Sequence, residues 1–475
     1  MAQLSPSRKV ALSLVSQRRR RDGRIRELLR TSEAMDALED ARDRALAARL
    51  AFGAVSAQGT LDRLLDERLR RPSSVEPRVR DALRVAAFEC CYLSTPQSAA
   101  VSQGVELVRL ASPHAAGLAN AVLRRLCQDV RPQVQDARAR CADGACGIDD
   151  LALVGGLPSW LLERVAVQRG LDTARNLALC QLEAAPVYVA ANPALATASE
   201  TLRSLREAGL DPQPTLLPRA FQLGAPAGLA GSGLVGSGQL AVSDLAAQLV
   251  ACMASPQPGY NVLEVGQGRG TKTMLLQGEA LAQGGFCEVT GVDSEAFKTK
   301  VTSRRMSRAG LAKHVRCVTL DGRLVSSTTL PGMPHDGFDV AFVDAPCSGT
   351  GTMRRHPEIA WTLSAESLEG EGSLPRLQLQ LLAAASACVR TGGLLAYATC
   401  SLMAEENERV VESFLESPEG SRFEVVPAYA TPGVAMAPEG AQEAVRMRTD
   451  GRGWFQSIPA TASFDGHFCT VMRRR

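Results

Sequence analysis

The spacing of apolar residues divides the chain into a helical first part and a later part in which strands alternate with helices. Through residues 5–130, apolar side chains recur every three or four positions, which predicts amphipathic helices. From Asn261 onward, short apolar runs alternate with helical patterns, as in a doubly wound α/β sheet. The helical spacing is clearest at Val79, Leu83, Ala86 and Cys90, at Val101, Val105 and Val108, and at Leu118, Val122 and Leu126.

The later part predicts a largely parallel sheet with one late strand. The late strand, Phe468–Met472, is expected to be antiparallel. The parallel strands are predicted at Val262–Val265, Cys287–Val292, Val315–Leu320, Phe338–Val343 and Leu394–Ala398.

The middle of the chain differs from both parts. We predict a strand at Val187–Ala191, a helix at Ala198–Ala208 that ends before Gly209, and irregular structure over the Gly- and Pro-rich residues 211–238. The predicted division is a helical domain at 5–130, a polar linker at 131–158, a small α+β module at 159–240 and an α/β domain at 241–475.

Composition narrows the class of protein. With 475 residues, 45% hydrophobic and 22% charged, the chain is expected to form several globular domains. It has no apolar run of about 18 residues, and its start lacks the apolar core of a secretory signal, so we expect a cytoplasmic protein without a membrane span. The 13 cysteines are irregularly spaced and the 5 histidines are scattered, so no metal site is predicted.

Two cysteine motifs carry the candidate chemistry. Cys347 lies in Asp344-Ala-Pro-Cys-Ser-Gly349, and Cys400 lies in Tyr397-Ala-Thr-Cys-Ser401. Each follows a predicted strand, where open α/β sheets hold their ligands. Two thiols at neighbouring strand ends suit chemistry in which one sulfur attacks and the other assists release. A single cysteine there is more often a small buried hydrophobe, but the pair argues for function.

A glycine-rich loop follows the first strand of the α/β domain. Glu264 to Thr273 reads E-V-G-Q-G-R-G-T-K-T, and Asp293 closes the next strand. Such a loop suits a dinucleotide or S-adenosylmethionine, with the acidic residue on the ribose, although a tight structural turn is the alternative. The G-x-G-x-G spacing after an acidic residue resembles the motif of class I methyltransferases. A Walker phosphate loop does not fit, since its G-K-[ST] ending is absent.

With these motifs in this order, the chain resembles the RNA cytosine-5 methyltransferases of the Sun/NOL1 family, closest to the bacterial small-subunit ribosomal RNA methyltransferase B type. The resemblance covers nearly the whole chain. It extends to Gly117–Arg125 of a NusB-like helical domain, to Pro186–Asn192, to Gly351–Trp361, to Glu405–Glu408 and to Asp465–Phe468. Three departures are Arg269 in place of a proline in the loop, Ala190 in place of an arginine, and Ser243 in place of a glutamine.

The resemblance implies a class I methyltransferase fold and a reaction. Methyl transfer from S-adenosylmethionine to cytosine C5 in ribosomal RNA would proceed through a covalent cysteine–C6 adduct, which makes C5 nucleophilic. It assigns Cys400 as the nucleophile and Cys347 as the release cysteine, roles that the residues alone leave exchangeable. Asp344 would contact the base. The implied cofactor residues are Gly266, Gln267, Gly268, Arg269, Gly270, Thr271, Lys272, Asp293, Asp321 and Asp344.

Charge distribution indicates where RNA would bind. The net charge is only +3, but arginines crowd the end of the first helical run. We predict phosphate contacts there, with a merely structural helical domain as the alternative, and we expect a monomer. The predicted RNA-binding residues are Arg18, Arg19, Arg20, Arg21, Arg124, Arg125 and Arg355. Two competing functions are a DNA cytosine-5 methyltransferase and a non-catalytic RNA-binding assembly or antitermination factor.

Overall fold

The computed structural model of the chain describes residues 3–21 and 23–475, which form two compact units. The first unit contains the described residues up to Ala185 and a later segment, Thr352–Leu363. The second contains Pro186–Gly351 and Ser364–Arg475. No helix in the described ranges is both long and apolar enough to cross a membrane.

The first unit is helical, as predicted. Pro77 occupies the first turn of α6, where its missing N–H is not needed, and Phe88 of that helix is fully buried. Gly53 of α4 permits this packing, because a Cβ there would lie 2.0 Å from the Phe88 ring. The helices are α1 (Pro6–Arg21), α2 (Ile25–Arg30), α3 (Glu33–Asp36), α4 (Ala41–Ser56), α5 (Gln58–Asp66), α6 (Pro77–Tyr92), α7 (Gln97–Ala111), α8 (Ala116–Arg125), α9 (Arg131–Ala142), α10 (Ile148–Gly155), α11 (Ser159–Arg169) and α12 (Leu171–Gln181), with a π-helical turn at Leu126–Val130.

The predicted linker at 131–158 is wrong, since most of it forms α9 and α10. The apolar face of α9 consists of Val134, Ala137 and Cys141, whose helical spacing is hidden by its polar and charged neighbours. Helices α11 and α12, assigned to the small module, also belong to the first unit. Leu118, read as a core position of α8, is 40% exposed.

The later segment of the first unit packs against its early helices. The indole N–H of Trp361 donates a 2.8 Å hydrogen bond to the carbonyl oxygen of Ser56. A Cβ at Gly59 would lie 2.2 Å from the Trp361 ring, so glycine is needed beneath it. Met353 is fully buried, and its carbonyl accepts a hydrogen bond from Gln181. The chain therefore enters the first unit four residues after Ser348 and returns at Ser364.

The second unit begins with a small antiparallel sheet in the order β2-β3-β1-β4, followed along the chain by a larger sheet. Its strands are β1 (Val187–Ala191), β2 (Pro212–Pro214), β3 (Ala220–Leu223) and β4 (Leu240–Val242), with α13 at Ala198–Glu207. The predicted strand and helix are confirmed. The prediction that 211–238 is irregular is wrong for β2 and β3. Both strands are too short for a recognisable alternating pattern, and β2 also has Pro at each end.

The larger sheet has the order β10-β12-β9-β8-β5-β6-β7, with β11 paired to β12. Strands β5 to β9 pair in parallel, whereas β12 runs antiparallel to β9 and β10, as its late position predicted. The strands are β5 (Asn261–Val265), β6 (Glu288–Asp293), β7 (Val315–Thr319), β8 (Phe338–Asp344), β9 (Val389–Thr399), β10 (Phe423–Val426), β11 (Phe455–Gln456) and β12 (Phe468–Arg474).

Helices cover both faces of this sheet, so its central strands are apolar on both sides. Leu263, Val343 and Leu395 lie in the core on one face, and Val262, Phe342 and Ala396 lie in the core on the other. The chain order reverses between β5 and β8, which places a ligand crevice at their carboxyl ends. The helices of the second unit are completed by α14 (Leu245–Met253), α15 (Thr271–Ala282), α16 (Ala296–Arg308), α17 (Leu374–Ala387), α18 (Glu408–Leu415), α19 (Pro432–Ala435) and α20 (Glu439–Arg446).

Candidate functional site

The two motif cysteines meet at the carboxyl ends of adjacent strands. Strands β8 and β9 pair in parallel, with Asp344 opposite Ala398, so the loops that follow them emerge side by side. The Sγ atoms of Cys347 and Cys400 lie 3.3 Å apart, and the Cys400 backbone N–H donates to the Cys347 sulfur, also at 3.3 Å. Both residues are partly exposed. The predicted proximity of the two thiols is confirmed.

Their surroundings make the two thiols unequal. The pKa of Cys400 is lowered, first because the Cys347 thiol donates a hydrogen bond to its sulfur and also because Lys272 is nearby, against the opposing effect of burial. The pKa of Cys347 is raised well above its ordinary value by its role as the donor in that bond and by burial. The arrangement therefore favours a thiolate at Cys400 and a neutral thiol at Cys347.

Lys272 and Asp344 form an ion pair beside the thiols. Lys272 Nζ lies 2.6 Å from Asp344 Oδ1, and it also lies over the Phe342 ring. Burial alone would lower the pKa of Lys272, but the Asp344 carboxylate, together with Cys400 and Glu264, outweighs burial and raises that pKa. The lysine of the glycine-rich loop thus contacts the aspartate of the first cysteine motif. This pairing was not predicted, because the two residues are far apart in sequence and only the adjacency of β5 and β8 brings them together.

The glycine-rich loop joins β5 to the start of α15. Gly266, Gly268 and Gly270 all have positive φ, at 84°, 59° and 74°. A Cβ at Gly266 would lie 2.2 Å from the carbonyl oxygen of Asp344, so the loop passes directly against the end of β8. A Cβ at Gly268 would meet only the Gly266 carbonyl oxygen, at 3.8 Å, and would otherwise project into open space. The loop is thus held on one side and open at its centre.

The other predicted cofactor residues lie around this loop. Asp293 ends β6 and is 8% exposed, and its Oδ2 accepts the Gly268 N–H at 2.9 Å. Gln267 is buried, Arg269 is exposed, and Thr271 accepts a hydrogen bond from Arg305. Asp321 follows β7 and caps a short turn, where its carboxylate pairs with Arg323. The structure brings together Gly266, Lys272 and Asp344, while Asp321 lies two strands from β5.

Two buried acids support the site. Glu264 is fully buried in β5 and accepts a 2.6 Å hydrogen bond from the Thr273 hydroxyl, and burial raises its pKa to about 8. Glu406 is fully buried behind the cysteine motifs and accepts hydrogen bonds from Ser348 and Ser401. The sequence predicts no role for the Glu405–Glu408 run beyond its resemblance to the family. The signal was its position directly after the second cysteine motif.

The predicted RNA-binding arginines lie in the first unit and differ in their surroundings. Arg19 pairs with the buried carboxylate of Asp81 at 2.9 Å, and Arg18 donates to Gln58 at 3.1 Å, so both have intramolecular partners. Arg20 and Arg21 are exposed at the end of α1. Arg124 and Arg125 are exposed in the last turn of α8, and Arg355 is partly exposed in the segment Thr352–Leu363. Within the described residues, no group of three His, Cys, Asp or Glu side chains is arranged to hold a metal ion.

Comparisons with known proteins agree with both units. A family model described as 16S rRNA methyltransferase RsmB/F matches residues 251–473, and a NusB family model matches residues 5–128. Ribosomal RNA small subunit methyltransferase B of Thermus thermophilus is 34% identical over 374 residues, which cover 79% of each chain. The protein of the same name from Xylella fastidiosa (strain 9a5c) is 30% identical over 388 residues, covering 80% of this chain and 84% of that one.

Solved structures share the fold at lower identity. The crystal structure of PH0851 aligns with a TM-score of 0.77 at 21% identity, covering 100% of both chains. A methyltransferase homolog from Pyrococcus horikoshii aligns with a TM-score of 0.54 at 20% identity, covering 69% of this chain and 99% of that one. The fold likeness therefore extends over the whole chain.

Proposed function

This chain belongs to the family of ribosomal RNA small subunit methyltransferase B, and from that membership we propose that it transfers a methyl group from S-adenosylmethionine to C5 of a cytosine in small-subunit ribosomal RNA. The observation that carries the proposal is the pair of unequal thiols, 3.3 Å apart, beside the Lys272–Asp344 ion pair. Methylation at an oxygen or an amino group requires no second thiol. Methylation at C5 requires both a nucleophile and a means of releasing it.

The loop between β5 and α15 fits the proposed cofactor. A side chain at Gly268 would project into open space in front of the loop, so the backbone there can approach a ligand closely. Asp293 lies beside the loop and is the candidate partner for ribose hydroxyls, with Asp321 further along the same edge of the sheet. S-adenosylmethionine, when bound, supplies an electrophilic methyl group on a sulfonium sulfur.

Cys400 is the proposed nucleophile. Cytosine C5 is a weak nucleophile, and addition of a thiolate at C6 makes it enamine-like. The hydrogen bond from Cys347 and the charge of Lys272 favour the Cys400 thiolate, which is the form that attacks C6. We assign Asp344, which is held by Lys272, the role of bonding to the polar edge of the base and so orienting it.

Cys347 completes the reaction as the release residue. After methylation, the C5 proton must leave before the C6–sulfur bond to Cys400 can break, and a base near C5 has to accept that proton. Once Cys400 is bonded to C6, its sulfur no longer carries a negative charge, which removes one cause of the raised Cys347 pKa. Cys347, which is partly exposed, can therefore release its own proton to solvent. As a thiolate it accepts the C5 proton, and the electron pair of the C5–H bond re-forms the C5–C6 double bond and expels the Cys400 thiolate.

A covalent-trapping experiment tests this proposal. The full chain and its Cys347→Ala and Cys400→Ser variants are incubated with small-subunit ribosomal RNA and methyl-labelled cofactor, then run on a denaturing gel. We expect labelled RNA from the wild type, an accumulated protein–RNA adduct from Cys347→Ala, and neither product from Cys400→Ser. The double variant, which serves as the control, should form no adduct.

Three outcomes would reject the proposal. If the Cys400→Ser variant methylates RNA as fast as the wild type, Cys400 is not the nucleophile. Label in duplex DNA and none in RNA would support a DNA cytosine-5 methyltransferase instead. RNA binding without any affinity for S-adenosylmethionine in calorimetry would support a non-catalytic assembly or antitermination factor.

A further inference from the structure

Glu406 accepts four hydrogen bonds from the surroundings of the two cysteine motifs. Its Oε1 accepts the Ser348 backbone N–H at 2.7 Å and the Gln378 side-chain amide at 3.0 Å. Its Oε2 accepts the hydroxyls of Ser348 and Ser401. The residue is 0% exposed, so its carboxylate is screened from solvent. A buried carboxylate needs such donors because water cannot reach it, whereas a surface acid is hydrated.

The two serines are the direct neighbours of the two cysteines. Ser348 follows Cys347 in the loop after β8, and Ser401 follows Cys400 in the loop after β9. One carboxylate therefore joins two loops that the sheet brings side by side. The serine hydroxyls also lie 3.1 Å from each other, which makes the bridge a closed triangle.

Other buried groups hold the bridge in place. The Tyr397 hydroxyl donates to the Glu406 carbonyl at 2.6 Å, which fixes the backbone of the acid against β9. Asn407 donates to the Ser401 carbonyl at 2.9 Å and accepts from the Thr399 hydroxyl at 2.6 Å. The acid therefore has little freedom to move with either loop alone.

We propose that Glu406 is a positioning residue that sets the separation and alignment of the Cys347 and Cys400 sulfurs, and thereby couples attack to release. The inference rests on the proposed function, because the coupling matters only if both thiols act on one base. The position of Cys347 depends on Glu406 more than the position of Cys400 does. Its loop leaves the second unit at Gly351, and the Ser348 N–H and hydroxyl both bind Glu406.

A purely structural role predicts a different pattern from the proposed one. The charge of Glu406 contributes to raising the pKa of both cysteines, so removing the charge while keeping the hydrogen bonds should alter thiol titration without altering the fold. Glu406→Gln achieves this. Its carbonyl oxygen can accept the two N–H donors, and its amide can donate to serine hydroxyls that rotate to accept. Glu406→Ala removes the bridge itself.

The first measurement uses the full chain without RNA or cofactor. The rate of iodoacetamide alkylation is followed against pH, with the modified cysteine identified by mass spectrometry. We expect the alkylation of Cys400 in Glu406→Gln to reach half its maximum at a lower pH than in the wild type. Glu405→Gln is the matched control, since Glu405 is its buried neighbour and pairs with Arg409 at 3.3 Å. The control should titrate like the wild type.

The second measurement is the covalent-trapping gel with Cys347 and Cys400 intact. Glu406→Ala should lose methylation by roughly 100-fold, the cost expected for a misplacement of about 1 Å, and should accumulate the adduct because release is impaired more than attack. Glu406→Gln should restore most of the turnover. Ser348→Ala, which leaves the Ser348 N–H in place, should give a weaker form of the same defect and covers the case in which Glu406→Ala does not fold.

The results separate the two proposals. If the alkylation profiles of Glu406→Gln and Glu405→Gln both match the wild type, and Ser348→Ala releases RNA normally, the positioning role is overturned. Failure of the proposed function would appear instead as no adduct from Cys347→Ala, whatever the alkylation profiles show.

Discussion

Glu264 and Glu406 are both fully buried near the site, yet their hydrogen bonding differs. Glu406 accepts four donors, whereas Glu264 Oε2 accepts the Thr273 hydroxyl and its Oε1 is buried without a hydrogen-bond partner. An acid that is buried and incompletely bonded resists ionisation, and the pKa of Glu264 is raised to about 8. Glu264 therefore acts as a neutral structural acid beneath the loop, and the loop's exposed centre lies at Gly268.

A pH-dependent stability follows from Glu264. The folded protein keeps this proton up to a pH of about 8, whereas the unfolded chain loses it near pH 4.5, so its contribution to stability is full in acid and is lost as the pH rises between these values. In the wild type this loss in the free energy of unfolding can reach about 1.4 kcal/mol per pH unit over the interval. Glu264→Gln should abolish it. Urea unfolding of both proteins at pH 5 and pH 8.5 measures it. If the difference in unfolding free energy between the wild type and Glu264→Gln is the same at both pH values, the raised pKa of Glu264 is contradicted.

At the scale of elements, the turn from β5 into α15 has three glycines for three different reasons. Gly266 is required by the Asp344 carbonyl, since a Cβ would lie 2.2 Å away. Gly270 is required by α16, since a Cβ would lie 2.6 Å from Thr302 Cγ2. Gly268 has no such steric neighbour within the described residues, so its lack of a side chain leaves the space in front of the loop open. Mutations at these glycines should therefore have different effects, on packing at Gly266 and Gly270 and on ligand binding at Gly268.

Gly268→Val should abolish S-adenosylmethionine binding while the fold persists. The valine side chain would enter the open space, and its left-handed backbone, at φ 59°, would cost about 1–2 kcal/mol. Isothermal calorimetry measures the binding and circular dichroism monitors the fold. Gly266→Ala is the contrasting variant, which should lower the melting temperature because the added Cβ pushes against β8. Undiminished cofactor affinity in Gly268→Val would show that the ligand does not approach this loop.

At the scale of the whole molecule, the helical unit matches a NusB family model and contains all of the predicted RNA-binding arginines. The arginine cluster of α1 serves two purposes. Arg19 forms the shorter of two ion pairs to the fully buried Asp81 carboxylate, and its loss would leave that buried charge with only the 3.4 Å pair to Arg84. Arg20 and Arg21 are exposed and can contact phosphate without such a cost. Replacing all four arginines would therefore mix a folding defect with a binding defect.

The double variant Arg20→Ala/Arg21→Ala isolates the RNA contribution. Each lost phosphate contact should reduce the slope of log affinity against log salt by about 0.7–0.9. We expect weaker RNA binding, most evident at low salt, with unchanged affinity for S-adenosylmethionine and unchanged thermal stability. Fluorescence anisotropy with a ribosomal RNA fragment over a salt series measures the slope. A slope equal to that of the wild type would leave this end of α1 without a role in RNA binding.

The sequence alone determined the family, the fold class and the residues of the two cysteine motifs. Each of these depends on local order along the chain. Apolar runs of strand length predicted β5, β6, β7, β8 and β9 to within a few residues, except that β9 begins at Val389, where its start is masked by Gly392 and Gly393. The positions of Cys347 and Cys400 after neighbouring strands predicted that their side chains would meet, because parallel strands end at the same edge of a sheet.

The tertiary structure decided which side chains act together. Lys272 and its partner Asp344 are 72 residues apart in the sequence. Glu406 is 58 residues from Ser348 but only 5 from Ser401. No spacing rule distinguishes these partners from other polar residues. The helical nature of 131–158 also depended on packing, since the small apolar face of α9 is stabilised by burial rather than by its pattern. Hydrophobic periodicity predicts which side of a helix or strand is buried. Hydrogen-bond partners and pKa shifts depend instead on which groups the folded chain brings next to a residue.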